Sequence, residues 1–170
     1  MKRDKFIAVI VFGIAFAFVE AAIVVYLRHL LSIGIPHINK NEILILAPGI
    51  AFLDPKAALE IIKSSSLLRI EQAREIATIV ILASLAFIAG KKWLEKGAYF
   101  LLSFGIWDLF YYFFLSVVIG WPRSLGDLDI FFLVPVPWVG PVVTPILISI
   151  VLILLSIILL IRVESKDREG

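Results

Sequence analysis

The chain contains no cysteine. Disulfides, iron–sulfur clusters, thiolate metal sites, covalent c-type haem attachment and thiol nucleophiles are therefore excluded together. Histidine is nearly as scarce: His29 and His37 are the two present, and neither falls inside an apolar run, so paired axial ligation of a haem has no support. Charged residues make up 18% of the chain against about 25% in a soluble domain, and the net charge is only +2. Nucleic-acid binding would need a basic patch that such scattered residues do not make. Walker A, G-x-G-x-x-G, G-x-S-x-G and H-E-x-x-H patterns are all absent from the sequence, leaving no expected nucleotide site and no recognisable hydrolase motif.

Apolar residues are what the chain has in excess. They make up 61% of its 170 residues, and mean hydropathy is +1.04, which places it among integral membrane proteins. Four runs are long enough to cross a hydrocarbon core, at about residues 6–27, 70–90, 98–119 and 139–161. The first is too long for a signal-peptide core and continues past Ala21-Ala22 without a polar cleavage region. Lys91-Lys92 and Trp93 close the second run, Gly120-Trp121-Pro122 closes the third, and Arg162 closes the fourth, as snorkelling cations, interfacial aromatics and helix-stopping proline would. In a 19.0 kDa chain these spans leave no room for a separate soluble domain. The expectation is a single all-α, polytopic four-helix bundle.

Basic residues set the expected orientation. Lys2, Arg3 and Lys5 precede the first span, Lys91, Lys92 and Lys96 separate the second and third, and Arg162, Lys166 and Arg168 follow the fourth. The positive-inside rule puts all three groups, and hence both termini, on the cytoplasmic side of a cell membrane. The segment 28–69 and the shorter segment between Trp121 and Trp138 are then outer loops. Within the first, Ile43-Leu44-Ile45-Leu46 is too short to span, whereas Asp54-Pro55 followed by Ala57, Ala58, Leu59, Ile61 and Ile62 reads as a capped helix on the membrane surface or packed on the bundle. The second, proline-rich from Ile130 to Trp138, reads as a re-entrant or surface-lying segment. Glu164 to Glu169 reads as a solvated tail.

Ionisable residues inside spans cost about 2.5–3.5 kcal/mol each on insertion scales, so each asks for a reason. Glu71, Arg74, Glu75 and Thr78 recur at i, i+3, i+4 and i+7 and share one face of the second span. Asp108, Tyr112 and Ser116 share a side of the third, with Tyr111 flanking. On the first span Glu20 shares a face with Gly13 and Ala17, whose small size lets a neighbouring helix approach. If the three faces meet, Glu20, Arg74, Glu75, Asp108 and Tyr112 form a carboxylate/arginine cluster open to the outer side. Its excess of acid could take a proton, a metal ion or a cationic ligand. The bland alternative is that Arg74 pairs with Glu20 or Asp108 and the cluster only fixes helix register. Asp127 and Asp129 form a weaker D-x-D candidate for a divalent ion, with an Asx turn as the alternative.

The segments Phe18-Val19-Glu20-Ala21-Ala22, Gln72 to Thr78, Gly105 to Tyr112 and Val134 to Pro141 together resemble a family of small, uncharacterised prokaryotic integral membrane proteins. The resemblance implies a four-helix membrane protein and assigns no catalytic role. Three functions stay open at this stage. The first is binding or translocation of a proton, cation or polar headgroup, within a homo-oligomer or beside a partner membrane protein and in contact with membrane lipids. The second is an accessory or structural subunit of a larger membrane complex. The third is a membrane-embedded enzyme acting on a lipid or lipid-linked substrate, with Glu75 or Asp108 as base and Arg74 holding an anion.

Overall fold

The structure, a computed structural model, describes residues 3–31, 40–62 and 64–169. His37 lies outside them. Four helices are long and apolar enough to cross a membrane: α1 (Arg3–Leu31), α3 (Ser65–Ala89), α4 (Trp93–Ile119) and α5 (Val143–Glu169). The shortest has 25 residues, about 37 Å at the α-helical rise and longer than a hydrocarbon core is thick. α4 is the central helix, packed along α1, α3 and α5, whereas α1 and α3 meet at few points.

Small residues set these crossings. Gly13 of α1 faces Ile106 of α4, and a side chain there would come within 2.9 Å of the isoleucine. Gly105 on α4 lies against Ile153 and the Ser149 carbonyl of α5, where a Cβ would sit 2.7 and 2.8 Å away. In lipid, where apolar burial drives helix association little, such close backbone approach supplies the contact. Towards the end of the bundle that carries the chain termini, Val9, Ala86, Ala89, Ala98, Tyr99, Leu102 and Leu160 form a buried apolar cluster. Lys5 reaches across to donate to the Ala89 carbonyl at 2.7 Å, satisfying an acceptor at the end of α3.

The chain is not all-α. A four-stranded antiparallel sheet stands at the opposite end of the bundle, built from β1 (Ile43–Ala47), β2 (Ile50–Leu53), β3 (Leu128–Phe132) and β4 (Trp138–Pro141) in the order β1-β2-β4-β3. The two outer loops are joined in it: Ala51 pairs with Val139 and Phe52 with Trp138. Pro48-Gly49 turns β1 into β2, with Gly49 at φ 77°, a conformation that suits glycine at the second turn position. The proline-rich segment expected to be re-entrant or surface-lying is therefore the β3–β4 hairpin. Backbone groups freed by Pro135 and Pro137 flank the ladder rather than interrupt it.

The expected capped helix after Asp54 is α2 (Pro55–Ile61). The Asp54 carboxylate accepts from the Lys56 amide at 2.8 Å and its carbonyl from Ala57, the N-cap role that leaves Pro55 at the first helical position. Ala57 of α2 packs under the sheet with Ala51, Leu53 and Val139, and Leu133 packs on Ile62 and Leu68. Sheet and α2 together cap the bundle. Other boundaries shift accordingly. Val139, expected to open the fourth span, belongs to β4. Pro145 falls in the first turn of α5, and α5 continues through Glu169, where a solvated tail was expected.

Candidate functional site

Under the sheet the helices enclose a cavity of about 740 Å³, walled by α1, α3, α4 and the β3–β4 hairpin. Three of its four sides are fixed by the helical spacing already evident in the sequence. Along α3, Glu71, Arg74, Glu75 and Thr78 all face the cavity; along α4, Phe104, Trp107, Asp108, Tyr111 and Tyr112 do; along α1, Glu20, Val24, Leu27 and Arg28 do. On α4 the lining stretches from Phe104 to Ile119, about 22 Å of helix. Ala17, Leu82 and Trp107 form a buried apolar plug beneath it.

The polar groups fall into two networks. In the first, the Arg74 guanidinium donates from Nη1 to Glu20 and from Nε to Glu71 Oε2 at 2.9 Å. Both carboxylates are buried, while the Arg74 side chain is 20% exposed. Thr78 donates to the Arg74 carbonyl, and Glu75 accepts from the Leu133 amide at 2.8 Å, tying α3 to the loop after β3. In the second, Arg28 donates to Asp129 Oδ1 at 3.1 Å and Tyr112 donates to Asp129 Oδ2 at 3.0 Å. The Arg28 guanidinium also lies 3.8 Å from the centroid of Trp121, so a tryptophan expected only to mark the interface instead holds a cation by its π face. Asp108 accepts from Ser149 of α5 at 2.7 Å.

A chain of rings joins the networks. Trp107 packs on Tyr111 with centroids 6.2 Å apart and on Phe132 at 6.5 Å, and Tyr111 meets Tyr112 edge-on at 5.1 Å. The indole N–H groups of Trp107 and Trp138, both lining the cavity, are buried without an acceptor. A buried donor left unpaired costs about 1–3 kcal/mol, so each marks a place for a water or ligand oxygen.

The sequence-predicted residues are thus brought to one cavity but not into one contact. Glu20, Glu71 and Arg74 touch; Glu75, Asp108, Tyr111 and Tyr112 line the same space through separate partners. Ser116, aligned with Asp108 and Tyr112 by spacing, is exposed and absent from the cavity wall. His29 is exposed. Asp127 and Asp129 work separately. Asp127 caps a turn, accepting from Ser124 Oγ at 2.8 Å and the Arg123 amide at 2.7 Å; the Ser124 hydroxyl and then the Arg123 amide hold its carboxyl below the usual range. Asp129 points inward, and burial pushes it up to about 6 against the opposing pull of Arg28 and the Tyr112 hydroxyl. Among the described residues no three acid or imidazole side chains are grouped to hold a metal ion.

Sequence reasoning did not single out Arg28 or Trp107. Arg28 follows Glu20 by two turns on the same face of α1, a spacing that could have revealed it. No protein-family model matches the chain, and neither the curated proteins nor the solved structures yield a match.

Proposed function

We propose that the chain is a multi-pass protein of the cell membrane, with both termini in the cytoplasm, whose outward-facing cavity binds or passes on a proton, a cation or a polar headgroup. The orientation rests on the three basic groups at the terminal end of the bundle. The observation that carries the binding role is the charge inventory of the cavity wall. Six carboxylate residues, Glu20, Glu71, Glu75, Asp108, Asp127 and Asp129, line it against three arginines, Arg28, Arg74 and Arg123. Within the spans the wall carries Glu20, Glu71, Glu75 and Asp108 against Arg28 and Arg74; such an excess favours a compensating positive charge, and intramembrane ionisable groups facing a cavity mark ligand sites and pathways by default. The volume suits a small molecule or headgroup rather than a bare packing defect.

Native mass spectrometry of the detergent-purified protein, wild type beside a Glu75→Gln, Asp108→Asn variant, tests this reading. A bound non-protein mass on the wild type, lost in the folded variant, is the expected result; identical bare masses would overturn binding of a cation or headgroup. The direct pairing of Arg74 with Glu20 and Glu71 favours a second reading, an accessory subunit in which the ion pairs fix helix register. Identical bare masses would move support to that role, with co-purification of a stoichiometric partner chain as its own signature.

A further inference from the structure

The geometry points to an organic amine as the ligand: an ammonium headgroup bearing a hydrogen-bond acceptor, held in the cavity that Glu75, Asp108 and Trp107 line together. The inference rests on the binding reading above and names the ligand class for that cavity.

Charge excludes most alternatives. Arg74 is already shared by Glu20 and Glu71, and Arg28 is committed to Asp129, which leaves the exposed Arg123 as the arginine of the wall outside these pairs. An anion would enter a wall with twice as many acids as bases. Glu75 and Asp108 differ from the other acids. Neither forms a salt bridge among the described residues: Glu75 accepts from the Leu133 amide, with Arg74 acting on it only through space, and Asp108 accepts from the Ser149 hydroxyl, so each retains acceptor capacity. A bare divalent ion would need three or more converging oxygen ligands, and the described residues offer no such group. A cavity of about 740 Å³ is also far larger than an ion needs.

Aromatic placement gives the second, independent observation. Trp107 precedes Asp108 on α4, and its ring packs on Phe132, whose neighbour Leu133 holds Glu75. Trp107 therefore lines the same cavity as both acids, and an indole ring is the kind of surface that aromatic cages present to an ammonium group. Trp107 is only 6% exposed, and its indole N–H has no acceptor. A simple alkylammonium would leave that donor unpaired. An ammonium carrying an ester, hydroxyl or phosphate-ester oxygen close by would satisfy it. That chemistry is shared by the headgroup of an amino-phospholipid and by a free amino-alcohol.

The test is a native-mass titration of the delipidated full chain with phosphatidylethanolamine, phosphatidylglycerol and free ethanolamine. Phosphatidylethanolamine is expected to bind at least about tenfold more tightly than phosphatidylglycerol. The Glu75→Gln, Asp108→Asn variant is expected to abolish that preference, and Trp107→Phe, which keeps a ring and removes the N–H, to weaken binding several-fold. Displacement of the lipid by ethanolamine at comparable concentration would identify a free amine as the source; failure to displace it would identify the lipid. Equal or tighter binding of phosphatidylglycerol, still lost in the variant, would overturn the amine and leave the binding reading standing. Binding of any of the three that ignores all these substitutions, or binding of none of them, would overturn the amine assignment, and the binding reading is then decided by the native-mass comparison above. Should the double variant fail to fold, the single variants Glu75→Gln and Asp108→Asn take its place, and a preference for phosphatidylethanolamine over phosphatidylglycerol that survives in both overturns the amine assignment.

Discussion

Replacing Arg74 by methionine removes the cation shared by Glu20 and Glu71, whose side chains are 4% and 7% exposed. Methionine keeps much of the stem's volume, so the loss is chiefly electrostatic. Removing one partner from a buried pair costs about 3–5 kcal/mol, because the remaining charge stays desolvated and uncompensated. Here two carboxylates are stranded and repel each other, which places Arg74→Met in the upper part of that range. That is a third or more of the about 5–15 kcal/mol that holds a typical domain folded. Equilibrium unfolding in mixed micelles, followed by far-UV circular dichroism, gives the difference directly. A companion triple variant, Glu20→Gln, Glu71→Gln, Arg74→Met, removes the stranded charges and is expected to recover most of the loss. Were Arg74→Met to cost less than about 1 kcal/mol, the value of an exposed pair, or were the triple variant worse than the single, the ion-pair reasoning would be refuted.

Three further outcomes are expected. Asp129, raised to about 6 in the folded protein from an ordinary 3.8, binds more protons folded than unfolded. Its contribution to stability is therefore full below about pH 4 and lost as pH rises through about 6, a change of about 3 kcal/mol that Asp129→Asn should remove from the pH profile of unfolding. Gly105→Ala forces a Cβ against the Ser149 carbonyl; a loss of about 1–3 kcal/mol is expected, and retention of wild-type stability would show that α5 yields freely. Because the chain has no native cysteine, single substitutions report orientation cleanly. Leu125→Cys should react with an impermeant maleimide in intact cells and Lys91→Cys only after permeabilisation, and the reverse pattern would invert the proposed topology.

The helices and the acid-bearing faces were legible because both depend on local spacing. Twenty apolar residues in a row need no tertiary information, and Glu71, Arg74, Glu75 and Thr78 face one way in any α-helix. The sheet was not legible, for the opposite reason. Its strands are four or five residues long, their apolar runs lack clear alternation, and the β2–β4 pairing joins segments more than eighty residues apart in the chain. Prolines at 135 and 137 suggested broken backbone, which holds between the strands but hid the strands themselves. Asp129 was read beside Asp127 as half of an oxygen-ligand pair. Its role depends on Arg28 and Tyr112, which reach it from two other elements. Ser149 was likewise invisible as the partner of Asp108 until α5 was placed against α4 through Gly105.

The central claim is a cavity open to small solutes and biased towards positive charge, and thiol modification at its wall tests it most directly. Tyr111→Cys places a sulfhydryl in the lining, and Leu82→Cys places one in the fully buried plug beneath. Rates of modification by small cationic and anionic thiosulfonates of matched size are to be measured in membranes. The account predicts that Tyr111→Cys reacts, that the cationic reagent is faster by about tenfold or more, and that Leu82→Cys stays inert to both. A Tyr111→Cys as unreactive as Leu82→Cys, or modified equally fast by the anionic reagent, would contradict it.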